Sequence, residues 1–236
     1  LAEGEKVTNM LCYPKEEDNK GGFVTMVTKQ GLIKRTPLSQ FRNIRKAGLI
    51  AIALNEGDSL VWSHLTKGDD EIIVATHDGA AIHFTEDDAR AMGRTGHGVR
   101  VIKLREGDYV VGAARAQEGK EVLTITEKGY GKKTPVEEYR ITNRGGLGIR
   151  NYMVTDKTGC VVGMKMVDGT EDLLLVTEAG ILIRTPVENI RVAGRATQGV
   201  IVMRFKEEGD HVISMALADP EEKDETAETP DTEETV

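Results

Sequence analysis

Residues 121–135 read EVLTITEKGYGKKTP, and this stretch decides the fold. Val122–Thr126 is a run rich in valine, isoleucine and threonine; a turn closed by Gly129 follows; Tyr130–Lys133 is a second short run, stopped by Thr134-Pro135. Such residues favour strands, a turn glycine takes positive φ without a Cβ penalty, and proline cannot donate to a sheet ladder. The stretch predicts a β-hairpin. The same plan recurs in Phe23–Thr28 with Leu32–Arg35, in Ile72–Thr76 with Ala80–Phe84, and in Leu173–Thr177 with Ile181–Arg184. The turn glycines Gly31, Gly79, Gly129 and Gly180 are 48, 50 and 51 residues apart. A second set, Gly48, Gly98, Gly148 and Gly199, keeps step at 50, 50 and 51. Two markers holding one period identify stacked or radial copies of one supersecondary unit.

After each hairpin comes a loop, then the second glycine, then two more strand-like runs around an acidic turn. That turn is Glu56-Gly57-Asp58, Glu106-Gly107-Asp108 and Glu208-Gly209-Asp210; the third copy has only Thr155–Gly159. Four strands per copy predict an all-β, propeller-like array of four-stranded blades, with a linear β-solenoid as the alternative. The copies are read as 12–65, 66–115, 116–167 and 168–218. Leu1–Glu5 matches Leu54–Asp58, so 1–11 is expected to be the end of an earlier, truncated copy.

The net charge of −8 hides a division. Residues 219–236 hold nine acidic residues and one lysine, and read as a disordered acidic tail; the rest carries no net charge. Within each copy the positive charge lies in the hairpin and the loop after it. Lys29 to Ile50 has six basic residues and no acids. In a ring of blades equivalent positions share a rim, so this segregation predicts a basic belt, the footprint of a polyanion-binding surface. One column is Arg35, His83, Lys133 and Arg184; another is the arginine pair Arg42/Arg45, Arg90/Arg94, Arg140/Arg144 and Arg191/Arg195. Protection of sheet edges would also explain the first column, and ion pairing with the acidic turns the second. The belt is poor in aromatics, which favours duplex phosphates over stacking on unpaired bases.

Other chemistry is not indicated. The five histidines fall in different repeat columns with no metal-ligand spacing, so no metal site is expected. No phosphate-binding glycine loop and no nucleophile elbow occur. Tyr139 lies beside Arg140 but shares a column with Phe41, Ala89 and Ile190, which marks it as a packing position. Cys12 and Cys160 suit a reducing compartment and read as small buried hydrophobes, and no apolar run is long enough to span a membrane.

The stretches GLIKRTPLSQF (31–41), RAMGRTGHGVRVIKL (90–104), GYGKKTPVEEY (129–139) and VAGRATQGVIVMR (192–204) resemble the C-terminal domain of bacterial DNA gyrase A, over Leu1 to about Ala218. The resemblance implies a β-pinwheel, in which blades exchange a strand with their neighbours, corresponding to the last four of six repeats. It implies that duplex DNA wraps on the outer basic rim and that the whole bacterial, cytoplasmic enzyme then introduces negative supercoils. Catalytic residues, ATP and Mg²⁺ would act in other parts, namely the remainder of gyrase A together with gyrase B; this segment would need no cofactor or metal and would be a monomer. The family's Q-R-R-G-G-K-G box is echoed only in part by Thr142–Gly148, so weak wrapping is expected. The candidate DNA contacts are Lys34, Arg35, Arg42, Arg45, Lys46, Arg90, Arg94, Arg100, Lys132, Lys133, Arg140, Arg144, Arg184, Arg191 and Arg195. The related C-terminal domain of topoisomerase IV, and a propeller that binds acidic proteins rather than DNA, are the competing readings.

Overall fold

Continuous apolar runs such as Ile72–Ala75 imply strands buried on both faces, because a one-sided strand would alternate with polar residues. The computed structural model, which describes residues 7–11, 21–44, 46–207 and 209–220, has that arrangement. Among the described residues, fifteen strands form four sheets. The first contains β1 (Phe23–Thr28), β2 (Leu32–Pro37), β3 (Leu60–Thr66) and β6 (Val99–Arg100) in the order β3-β1-β2-β6. The second contains β4 (Glu71–Thr76), β5 (Ala80–Thr85), β7 (Val110–Arg115) and β10 (Ile149–Arg150) as β10-β5-β4-β7. The third contains β8 (Glu121–Thr126), β9 (Tyr130–Pro135), β11 (Val161–Val167) and β14 (Val200–Ile201) as β11-β8-β9-β14. The fourth has three strands: β12 (Asp172–Thr177), β13 (Leu182–Pro186) and β15 (Val212–Ala218), ordered β13-β12-β15.

The pairings between these strands are antiparallel, and three of them join different copies: β6 on β2, β10 on β5, and β14 on β9. Each two-residue strand is thus lent by one copy to the sheet before it, which is the strand exchange of a pinwheel. The loan begins at the second marker glycine. Gly148 has φ +71°, and a Cβ there would collide with the carbonyl oxygen of Ala81 in β5. Only glycine permits this approach in that conformation.

The strands β3, β7, β11 and β15 pack against one another in succession and form the hub. The borrowed strand is the opposite edge of the first three sheets, so β6, β10 and β14 lie at the outer perimeter. Alternation along the inner strands splits the core between blades. Ile72 and Val74 join Val27 and Ile33 of the first blade, whereas Ile73 and Ala75 face Val122 and Met164 of the third. Leu123 and Ile125 face Leu173 and Leu175 of the fourth. Each fully buried aliphatic side chain of this kind contributes about 1.5–3 kcal/mol. The expected all-β blades are therefore present. The first copy departs from the four-strand plan, since Leu49 and Ile50 pair with no sheet among the described residues. Most of the expected upstream copy-end and the tail beyond Pro220 lie outside the described residues.

Candidate nucleic-acid interface

The perimeter is built by the three-residue or four-residue 3-10 turn after each hairpin, the loop beyond it and the lent strand. The prolines Pro37, Pro135 and Pro186 end their strands and open the 3-10 turn at φ near −55°, the angle their rings impose. The chain then runs back along the preceding blade, bridging it in parallel at Arg35↔Ala91, His83↔Ile141 and Lys133↔Val192. These bridges bring the arginine pairs of one copy beside the strands of the copy before.

The first arginine of each pair faces solvent. Arg90, Arg140 and Arg191 are exposed, and their guanidinium groups have no hydrogen bond or ion pair among the described residues. Arg42 is also exposed and has a partner. Arg100 on β6 is exposed, its side chain without a partner among the described residues, and so is Arg150 on β10, its equivalent two residues past the second glycine. Arg150 is absent from the sequence-based candidates, although the repeat column carries the signal. Lys46 is exposed; Arg45 lies outside the described residues.

The second arginine of the last three pairs is a clasp. Arg94 Nη1 donates to the carbonyl oxygen of Ile50 at 3.2 Å, Arg144 Nη1 to that of Arg100 at 2.9 Å, and Arg195 Nη1 to that of Arg150. Their backbone N–H groups donate to side chains of the preceding 3-10 turn: Gln40 at 3.2 Å, Asp88 at 3.4 Å and Glu138 at 2.9 Å. These arginines are half-buried, with part of each guanidinium at the surface. The perimeter also carries exposed acids, among them Asp87, Asp88, Glu137 and Glu138, so it is a studded surface rather than a purely basic one.

Four candidates are corrected. Lys34 and Lys132 have no exposed surface. Lys34 Nζ donates to the carbonyl oxygens of Ala51, at 2.6 Å, and Arg94. Lys132 Nζ donates to those of Gly194, at 2.8 Å, Arg195 and Thr197. Each lysine therefore ties down the loop of the next copy from inside. Burial, aided by the charge of Arg94, lowers the Lys34 pKa to about 8. Burial also lowers Lys132 to about 8, with Glu138 opposing and Arg195 adding.

Arg35 and Lys133 are buried as well. Their column contacts the residue 12 positions earlier on the neighbouring strand. Lys133 Nζ is 3.1 Å from Glu121 Oε2, His83 Nε2 is 3.0 Å from Glu71 Oε2, and Arg184 Nε is 2.7 Å from Asp172 Oδ2. In the first copy the equivalent residue is Phe23, and Arg35 lies over its ring at 4.7 Å while donating to the carbonyl oxygens of Gly68 and Ala89. Cation–π attraction replaces the ion pair there. Arg184, in the last blade, keeps an exposed surface and also donates to the Asp219 carbonyl oxygen at 2.6 Å. The partners are strand-end acids, not the acidic turns. Those turns act locally: Asp58, Asp108 and Asp210 accept N–H groups of the hairpin turns.

Tyr139 is buried and its hydroxyl donates to Asn151 Oδ1 at 2.6 Å, in keeping with a packing role. Cys160 is only half-buried, contrary to expectation, and Cys12 lies outside the described residues. Among the described residues no helix is long and apolar enough to cross a membrane.

A family model described as DNA gyrase C-terminal domain, beta-propeller, matches residues 23–67, 70–117, 120–168 and 171–219. The DNA gyrase A protein of Halalkalibacterium halodurans is 55% identical over 222 residues, covering 94% of this chain and 26% of that protein. The DNA gyrase A protein of Klebsiella oxytoca is 40% identical over 225 residues, covering 95% of this chain and 26% of that protein. The chain thus spans about a quarter of the length of these relatives. A solved structure of a DNA gyrase A C-terminal domain superposes with a TM-score of 0.74 at 28% identity, covering 84% of this chain and 66% of that one. The C-terminal domain of a DNA topoisomerase IV superposes with a TM-score of 0.79 at 27% identity, covering 84% and 62%. With four consecutive repeats matched and strands lent from blade to blade, the chain belongs to the DNA gyrase C-terminal domain, beta-propeller, family.

Proposed function

We propose that this chain binds the backbone of duplex DNA along its outer perimeter and bends the duplex around the blades, presenting a wrapped segment to the rest of a bacterial gyrase. The observation that carries this reading is the recurrence, one blade apart, of Arg90, Arg140 and Arg191 as exposed arginines with no protein partner among the described residues, beside Arg100 and Arg150 on the lent strands. Bending 20–30 bp by 40–90° costs about 1–6 kcal/mol. Several phosphate contacts are needed to offset that, and a periodic perimeter supplies them in sequence along the curve. The remainder of gyrase A, gyrase B, ATP and Mg²⁺ belong to the parent enzyme in this reading, which works on the chromosome in the cytoplasm.

Retardation of random-sequence duplex across a salt series tests it. Each phosphate contact contributes about −0.9 to the slope of log K against log salt. The triple variant Arg90→Glu, Arg140→Glu, Arg191→Glu is expected to bind more weakly on every sequence and to flatten the slope by about three units. Unchanged affinity and slope would reject the perimeter as the DNA surface. The topoisomerase IV likeness leaves a second reading, in which the domain selects DNA crossings. Supercoiling of relaxed plasmid by an enzyme carrying this domain separates the two.

A further inference from the structure

At one end of the hub the third copy breaks the repeat. In the other copies an aspartate Oδ1 accepts a hairpin-turn N–H: Asp58 from Gln30 at 2.9 Å, Asp108 from Asp78 at 3.0 Å and Asp210 from Ala179 at 3.1 Å. The third copy has Gly159 at that position. A carboxylate comes instead from Glu127, whose Oε2 accepts the Cys160 backbone N–H at 2.9 Å. Its Oε1 is left 3.8 Å from Nε2 of His77, a residue of the second blade.

His77 is held as a ligand would be. Its Nδ1 lies 3.1 Å from the carbonyl oxygen of Val161, which can only accept. In the neutral ring this places the proton on Nδ1 and the lone pair on Nε2. Tyr109 stacks on the same ring, with centroids 4.5 Å apart. One donor atom each of His77, Glu127 and Cys160 lies within 4.8 Å of the other two.

We propose that His77 Nε2, Glu127 Oε1 and Cys160 Sγ bind a zinc ion that joins the second and third blades, with water in a fourth position. A mixed N, O and S set suits zinc, whereas the sulfur disfavours magnesium and calcium. Two tetrahedral donors about 2.0 Å from zinc sit about 3.3 Å apart, so His77 and Glu127 need close only slightly. The carbonyl behind His77 and the N–H behind Glu127 are the outer-shell partners that orient zinc ligands. An unligated cysteine is mostly a thiol at neutral pH. On binding, the S–H bond breaks, the Zn–S bond forms and the proton passes to buffer. Zinc, thiolate and carboxylate together are then neutral. The expectation of no metal site rested on spacing along the chain, which cannot show ligands drawn from separate blades.

The test is calorimetric titration of the whole chain with Zn²⁺, in two buffers of different ionisation enthalpy, with Co²⁺ as the optical probe. One equivalent is expected, with about one proton released, a thiolate-to-cobalt charge-transfer band and a raised melting temperature. Cys160→Ser and Glu127→Gln should each weaken zinc binding by more than the 10–100-fold typical of outer-shell changes, and Cys160→Ser should abolish the cobalt band. Cys12→Ser should change neither. Absence of stoichiometric binding, or binding that survives in Cys160→Ser, overturns the proposal. So does loss of the band in Cys12→Ser.

Discussion

Arg144 Nη1 donates to the carbonyl oxygen of Arg100 at 2.9 Å, across the boundary between the second and third copies. Its Nε donates to the Asp88 carbonyl oxygen at 2.8 Å, so this guanidinium holds one copy to the next as well as facing outward. Arg140, four residues earlier, is exposed and makes no such contact among the described residues. The two arginines should therefore separate stability from binding. Arg144→Ala is expected to cost about 1.5–3 kcal/mol in urea unfolding, as lost charged hydrogen bonds do. Arg140→Ala is expected to stay within about 0.5 kcal/mol of the parent while weakening duplex retardation. Equal stability of the two variants would refute the clasp.

The pairs spaced 12 residues apart offer a natural swap. Glu121 and Lys133 form an ion pair at 3.1 Å where the first copy has Phe23 and Arg35. Glu121→Ala leaves the buried Lys133 ammonium without its carboxylate, and should cost about 1.5–3 kcal/mol. The double variant Glu121→Phe, Lys133→Arg should recover part of that loss by rebuilding the first copy's cation–π contact. A double variant no more stable than Glu121→Ala would show that the two pairs are not equivalent supports.

The buried lysines give the chain an alkaline signature. Lys34 and Lys132 have folded-state pKa values lowered to about 8 from 10.5. Above pH 8 the unfolded state holds more protons on these groups than the folded state, so their contribution makes stability rise with pH until the unfolded lysines also titrate. Tyr139 and Tyr152 oppose this. Burial raises both phenols well above their ordinary value of 10.0. Above pH 10 the unfolded phenols ionise first and stability falls. Urea midpoints are therefore expected to climb between pH 8 and 10 and drop beyond it. Lys34→Met with Lys132→Met should remove the climb and keep the drop; a climb that persists would exclude these lysines as its source.

Why the interface was legible only in part follows from the same residues. The period, the hairpins and the lent-strand glycines are written in the sequence because each demands a residue type at a fixed place. Gly31 and Gly148, with φ +78° and +71°, are examples. Charge carries no such directional information. Lys34 and Arg35 are successive residues of β2 and point to opposite faces, so one surface cannot hold both. Segments of the same and the next copy cover both side chains, Ala51 and Arg94 at Lys34 and Gly68 and Ala89 at Arg35, so both end inside. Arg90, Arg140 and Arg191 lie in loops beyond the sheet and are exposed among the described residues. Position in the sheet thus separates exposed from internal cations: Lys34, Arg35, Lys132 and Lys133 lie on β2 and β9, which have a strand on either side, whereas Arg100 and Arg150 lie on the edge strands β6 and β10. Counting charges per segment merges the two.

The lent strand is the feature on which the perimeter depends, and Gly148 controls it. A Cβ at this position meets the carbonyl oxygen and carbon of Ala81, backbone atoms that cannot turn aside as a flexible side chain would. The residue also sits at φ +71°, where an L-side chain is strained. Gly148→Ala is expected to push Ile149 and Arg150 off Ala81 and Ala80, opening the β10–β5 pairing while β4, β5 and β7 stay intact. Gly107→Ala is the control, since its φ is +78° but no atom lies within 4 Å of the added Cβ. It should cost only the backbone term, about 1 kcal/mol. Hydrogen exchange at residues 149–150 reads the difference: fast in Gly148→Ala and unchanged in Gly107→Ala. Arg150 would then lose its place on the rim, and Arg195 the carbonyl it clasps, so duplex retardation should weaken in the first variant alone. Protection retained at Ile149 in Gly148→Ala would mean that the strand can shift along β5 without detaching, and that glycine is not what fixes the exchange.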